Sequence, residues 1–294
     1  FRFQHDRVQQ AAYQLSEESK RTSVHLAIGR LWSKSLTSEE MQVRLLDVVN
    51  HLNIGKSLIT DQDERWQLAH FNLKAAMRAK TSAAYKPALT YAQTAIELVD
   101  EADWQTHYEF MLALYLEAAE DAYLSVAQVE MEKYIEAALR HTRDSLDTAK
   151  AIEIRMQAFI SQNRFKDAVI TGLEVLEVLG ITFPKHISKY KVIFSLLKTK
   201  WAMRGKSVEE LASLPEMTDP RILAAMRILI KVTRASHYGM PKYLSLFTLK
   251  AIYLAVKYGR APISGFNFAA FGVTMTGVLN DVEKGARFGK LALN

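Results

Sequence analysis

Residues 83–98, AAYKPALTYAQTAIEL, and residues 163–178, NRFKDAVITGLEVLEV, align position for position. An aromatic (Tyr85, Phe165) is followed three residues on by a small side chain (Ala88, Ala168), four later by another (Ala92, Gly172), and then by Ala95 or Val175. Spacings of three and four place these on one helix face, where small side chains let a neighbouring helix come close and the aromatic closes the end of the pair. A weaker copy, QVEMEKYIEAALR at 128–140, puts Met131, Ile135 and Ala138 in the matching places. NDVEKGARFGKLAL at 280–293 reads as one more such helix, with Val282, Gly285, Gly289 and Ala292. The steps from Ala88 to Met131 and from Met131 to Ala168 are 43 and 37 residues, so the unit is a helix hairpin of irregular length. Hairpins of this period stack into an α-solenoid. Repeat packing is therefore assigned to Tyr85, Ala88, Ala95, Phe165, Ala168 and Gly172.

The rest of the chain agrees with an all-α fold. Apolar residues recur at helical spacing over 8–15 and 21–36 (Val24, Ile28, Leu31, then Trp32), parted by the polar turn SEESK. Thr37 is placed to cap the next helix, with Glu40 three residues on to reciprocate, and that helix carries Val43, Leu46 and Val49 toward Gly55. Helical patterns then run over about 62–80, 84–99, 104–124, 128–142, 147–162 and 165–180. No alternating stretch with hairpin signals supports a strand. Breaks fall at GITFPKHIS, SLPEMTDP and GRAPIS, and Asp219-Pro220 reads as a cap followed by Pro at the first helical position.

Composition bounds the function. Only 12 Gly and 6 Pro punctuate 294 residues, and 49% hydrophobic against 24% charged residues suits a helical protein with a sizeable core. No apolar run is long enough for a membrane span and no secretory signal pattern appears. The absence of Cys removes disulfides, thiol catalysis and thiolate metal sites. Together these lead us to expect a cytoplasmic setting.

Candidate chemistry is thin. His5-Asp6-Arg7 has the order His-Asp-Arg rather than the kinase His-Arg-Asp, and no downstream Asp-Phe-Gly follows. Gly55-Lys56-Ser57 imitates the end of a phosphate-binding loop, but Asn50 stands where its first Gly belongs and the tripeptide follows a helix. The eight His are scattered, with no pair four apart beside a carboxylate to hold zinc. No Gly-x-Ser-x-Gly elbow exists. No catalytic residue, metal or cofactor is assigned.

The most distinctive charge feature is residues 178–208, which hold Lys185, Lys189, Lys191, Lys198, Lys200, Arg204 and Lys206 and no Asp or Glu. On a helix from Lys189 to Arg204, Tyr190, Ile193, Phe194, Leu197 and Trp201 form one stripe with the basic residues beside it. Such a helix can lie on an anionic membrane or seat an acidic partner through Lys189, Lys191, Lys198, Lys200 and Arg204. Val192, Leu196 and Met203 add apolar surface on the other side, which favours a connector buried between repeat blocks with its Lys stems reaching outward. Tyr190, Ile193, Leu197 and Trp201 are therefore expected to be buried. The alternative is a basic helical repeat that binds an anionic membrane surface or nucleic acid through 185–206. Aromatics are too few on that face to favour single-stranded nucleic acid.

The repeat resembles the tetratricopeptide family, and the whole chain is similar to the stretch that follows the STAND-type (AAA-related) ATPase module in large bacterial signalling proteins. Those proteins often begin with a serine/threonine kinase domain and end in GAF plus histidine-kinase or cyclase domains. The match is carried by FRFQHDRVQQAAYQL, VHLAIGRLW, LLDVVNHLNIG, AKTSAAYKPALTYAQTAIEL, LPEMTDP and YGRAPISGFNFAAFG, in that order. Trp32 and Pro87 depart from it, Pro87 tolerably if it sits in a first turn. The resemblance implies a remnant of the ATPase winged-helix arm at 1–55, tetratricopeptide-like repeats at 56–180, a basic helical connector at 181–218 and further, truncated repeats at 219–294. It implies a non-catalytic regulatory and interaction scaffold whose partner is another protein or a neighbouring domain of the same chain; nucleic acid is not expected and membrane contact is disfavoured. FQHD looks like the His-Asp element that closes the winged helix of such ATPases, which would let His5 sense nucleotide in the intact protein. The plainer reading is that His5 and Asp6 cap the following helix.

Overall fold

A computed structural model describes residues 17–205, 210, 214–261, 264–279 and 281–291. The expected 8–15 helix, His5, Asp6, Lys206 and Ala292 lie outside the described residues. Among the described residues every regular element is a helix, and the one β-bridge is an isolated pairing of Glu216 with Arg260. The chain divides into two compact units, residues 1–141 and 142–294.

Unit 1 contains α1 (Glu18–Ser35), α2 (Ser38–Ile54), a 3-10 turn (Lys56–Leu58), α3 (Gln62–Thr81), α4 (Tyr85–Glu97), α5 (Asp103–Thr106), α6 (Tyr108–Leu124) and α7 (Gln128–His141). α1 packs on α2, α3 on α4 and α6 on α7, while α4 also packs on α6. Unit 2 contains α8 (Ser145–Ser161), α9 (Phe165–Val178), α10 (Lys189–Ala202), α11 (Pro220–Gly239), a 3-10 turn (Pro241–Tyr243), α12 (Leu244–Tyr258), α13 (Ser264–Leu279) and α14 (Val282–Leu291). There α8, α9 and α11 form one packed group, α10 lies on α12, and α13 pairs with α14.

The sequence repeat has a structural counterpart in three turns of one design. Ala83, Val126 and Asn163 each stand at positive φ (56°, 65° and 58°) just past α3, α6 and α8. In each turn the N–H of the next residue reaches back five positions to a carbonyl: Ala84 to Ala79 (2.9 Å), Ala127 to Ala122 (2.8 Å) and Arg164 to Phe159 (2.8 Å). The residue at positive φ itself donates three positions back, to Lys80, Tyr123 and Ile160. This pair of bonds satisfies carbonyls that a helix end leaves open. Each turn precedes Ala88, Met131 or Ala168 by five residues, so the turns carry the same 43 and 37 residue steps.

The faces that follow these turns are covered. Ala88, Ala92, Ala95, Met131, Ile135, Ala138, Ala168 and Val175 are buried, and Tyr85 and Phe165 are half-buried. Gly172 is buried where a methyl group would run into Val232 of α11 and stand 2.9 Å from Met156 of α8, so this crossing needs the missing side chain. Pro87 is the third residue of α4, inside the first turn, where its absent N–H is tolerated. Thr37 and Glu40 form the reciprocal cap of α2, and Asp219 caps α11 with Pro220 in first position.

The apolar residues of α1 and α2 divide between a covered and an open face. Val24, Leu31 and Val43 are exposed; α1 instead buries Leu26 and Gly29, and α2 buries Leu45, Val48, Val49 and Leu52. α1 packs chiefly on α2, so only a narrow stripe of it is covered. The pair is fixed to α3 by polar contacts: Arg30 clasps Glu64 with two 2.7 Å bonds, and Asn53 and Asn72 exchange side-chain amide bonds of 2.8 Å.

Candidate functional site

The two units carry opposite charge. Unit 1 holds 15 Lys and Arg against 20 Asp and Glu, while unit 2 holds 23 against 12. Within unit 2, acids are absent from 178–208 and again from 220–280. These stretches supply α10, α11 and α12.

α10 starts where Ser188 caps it through Lys191 N–H and lies on the surface of unit 2. Its inner face is Val192, Leu196, Thr199 and Met203. Thr199 is buried and its hydroxyl donates to the Leu249 carbonyl of α12 (3.3 Å), and the three apolar side chains pack on the cluster of Leu249, Ile252, Phe268, Phe271, Met275 and Phe288. The expected burial of Tyr190, Ile193, Leu197 and Trp201 is therefore wrong: with Phe194 they are 52–84% exposed. Both faces of the helix are apolar. The inner side chains pack against α12, and the stripe that holds three aromatic rings is left outside.

Beside this stripe runs a groove of about 500 Å³ lined by Phe183, Tyr190, Phe194, Lys198, Lys250 and Tyr253, among others. Lys198 Nζ stands 4.7 Å and Lys250 Nζ 6.0 Å from the Tyr253 ring centroid, a cation–π arrangement for both. Neither ammonium has a carboxylate partner among the described residues. Burial, followed by the charges of Lys198 and Lys257, holds Lys250 below its ordinary pKa. Lys191 also lines the groove, its ammonium donating to the His186 carbonyl (2.9 Å). Lys189, Lys200 and Arg204 are exposed along α10 and its end. Sequence reading missed Lys250 and Tyr253, although the lack of acids between Asp219 and Asp281 pointed at α12.

Unit 1 pairs its charges internally. Lys80 of α3 bonds Glu117 (2.8 Å) and Glu120 (2.7 Å) of α6. Burial works against the Lys80 charge, but these two carboxylates overcome it and its pKa is raised. Burial raises Glu117, and it pushes Asp121, fully buried with neither oxygen hydrogen-bonded, up to about 7 with help from the Glu117 charge. A buried acid of raised pKa marks many catalytic sites. Asp121 lines neither the groove beside α10 nor the groove along α4, α6 and α7, and its carboxyl is packed inside unit 1. A second groove in unit 1, of about 1100 Å³, runs along α4, α6 and α7 and is lined by Gln93, Glu97, Tyr115, Glu132, Lys133 and Arg140 among others. It mixes both charge signs.

Among the described residues no group of three or more His, Asp or Glu is arranged to hold a metal ion, and no helix is long and apolar enough to cross a membrane. The described residues form a helical protein whose surface includes a basic groove beside α10 and a groove of mixed charge along α4, α6 and α7.

Compared with known proteins, the chain is similar to hybrid signal transduction histidine kinase G of Dictyostelium discoideum, at 23% identity over 338 aligned positions. The match takes in all of this chain and 10% of that kinase, so the chain spans about a tenth of its relative's length. No family model matches, and no solved structure matches.

Proposed function

We propose that this chain is a non-catalytic regulatory and protein-interaction scaffold of a larger signal-transduction protein. One observation carries the reading: the whole chain aligns within a small portion of a hybrid histidine kinase named for signal transduction. The repeated hairpin turn supports a tetratricopeptide-like stack, in which a groove such as that along α4, α6 and α7 receives a protein segment or a neighbouring domain. The resemblance of 1–55 to the end of a STAND-type ATPase arm supports such a module in the intact protein, with His5 as its candidate nucleotide contact. Binding in the groove would bias the neighbouring module between two states, by as much as the partner's affinity differs between them.

The test uses both the isolated chain and the intact protein. Isolated, the chain should turn over neither ATP nor common esters. In the intact protein, Glu132→Lys with Glu136→Lys, on the rim of the unit 1 groove, should change basal phosphotransfer severalfold while leaving helix content unchanged. Turnover by the isolated chain that is lost on a point substitution within it would overturn the reading, as would an intact double variant with unaltered output.

A further inference from the structure

α10 carries its larger apolar face outward. Tyr190, Ile193, Phe194, Leu197 and Trp201 recur at three- and four-residue spacing and all are more than half exposed. At about 100° of rotation per residue, Lys191 and Lys198 fall along one border of that stripe and Lys189 and Lys200 along the other. Aliphatic Ile193 and Leu197 sit among the aromatics, with Trp201 and Tyr190 near the two ends of the helix. This is the layout of a helix lying in a bilayer interface: aliphatic groups reach the acyl boundary, aromatic rings sit at headgroup depth, and Lys stems bend from both borders to the phosphates.

The surroundings complete the match. No acid occurs in 178–208 or 220–280, so the field around α10 is basic. The adjoining groove holds Lys198 and Lys250, neither with a carboxylate partner among the described residues. A protein partner would have to supply both an apolar trough and acidic rims on each side; an anionic bilayer presents both at once. Nucleic acid would gain little from Ile193 and Leu197, which offer no ring for a base to stack on.

We propose that unit 2 is a peripheral membrane-contact module, in which Tyr190, Phe194, Leu197 and Trp201 of α10 enter the interface of an anionic bilayer and Lys191, Lys198 and Lys250 meet lipid phosphate. This goes beyond the scaffold reading and stands or falls separately from it, since unit 1's groove takes no part.

Flotation of the 294-residue chain with vesicles of phosphatidylcholine, alone or mixed with phosphatidylserine, tests it. Binding is expected on the mixed vesicles, weak on phosphatidylcholine alone, and lost as salt approaches about 1 M, where the screening length is about 3 Å. Phe194→Ala with Trp201→Ala, and separately Lys198→Glu with Lys200→Glu, should each lower binding about tenfold or more. These side chains are exposed, so circular dichroism should be unchanged, and the salt series on the wild-type chain needs no variant. Absence of vesicle binding overturns the proposal, as does equal binding to both vesicle types or binding that survives both double variants. Tighter binding to an oligonucleotide or to poly-glutamate than to the mixed vesicles, lost in the Lys198 and Lys200 variant, assigns the face to those partners instead and also overturns it.

Discussion

Unit 1 pairs its charges across its helices, whereas in unit 2 ion pairs lie on α8, α9 and α11 and the lysines of α10 and α12 have no carboxylate partner among the described residues. In the first unit Lys80 is held by Glu117 and Glu120, Arg30 by Glu64 and Lys56 by Glu97. In the second, the cations of α10 and α12 face a groove with no acid in its walls. The whole-chain charge of +6 conceals this, because an acidic half offsets part of the charge of a strongly basic one. Formal charge is informative per compact unit rather than per chain.

The contrast is broken most severely at Lys80. Lys80→Met leaves Glu117 buried without its cation, and a loss of about 3–5 kcal/mol is expected in urea melts at pH 8. The loss should be smaller at pH 5 than at pH 8, since burial raises the Glu117 pKa. An equal cost at both pH values would mean the cluster is not electrostatically coupled. In the hairpin of unit 1, Ala88→Glu should cost about 3 kcal/mol or more, since it forces a carboxylate into a fully buried face, and Ala95→Leu about 1–3 kcal/mol by overpacking. Lys86 and Thr90, exposed on the same helix, should accept substitution freely. Uniform tolerance would show that the repeat register is wrong.

Asp121 makes the stability of unit 1 depend on pH. Its pKa is raised in the folded state, to about 7 from 3.8. The folded chain therefore binds the proton more tightly than the unfolded one, so this stabilisation is complete below pH 3.8 and is lost as pH rises through about 7. Asp121→Asn should stabilise by about 1–3 kcal/mol at pH 8 and by little at pH 5. A pH-independent effect would remove burial as the cause. The smallest effect is expected at Val126, a β-branched residue at φ 65° and 88% exposed. Val126→Gly should stabilise by about 0.5–1 kcal/mol, the relief of left-handed strain exceeding the entropy glycine adds to the unfolded chain. Destabilisation in thermal melts would contradict the turn geometry.

The helical fold was legible because small residues at three and four spacing repeat, and because the caps at Thr37 and Asp219 have unambiguous chemistry. The hairpin turns were legible only through the repeat they precede. Ala83 and Val126 are poor turn residues, and their positive φ follows from the helix-end hydrogen bonds rather than from side-chain preference. The orientation of α10 was not legible. Its larger stripe reads as the core face, but helix periodicity says which residues share a face and not which face meets a neighbour. Packing went to the side where Val192, Leu196 and Thr199 let α12 approach. Lys250 and Tyr253 stand more than 40 residues beyond α10 in sequence, and only the fold brings them to the same groove.

The account rests on the outward face of α10, and Trp201 reports on it directly. The difference in fluorescence between the wild-type chain and Trp201→Phe isolates that indole from Trp32, Trp66 and Trp104. Its acrylamide quenching in solution should approach that of free tryptophan, as expected for a side chain 75% exposed, whereas the emission left in Trp201→Phe, which includes the 2% exposed Trp104, should quench less. A Trp201 signal shielded to the level of those remaining indoles would place the stripe in the core and contradict the central claim.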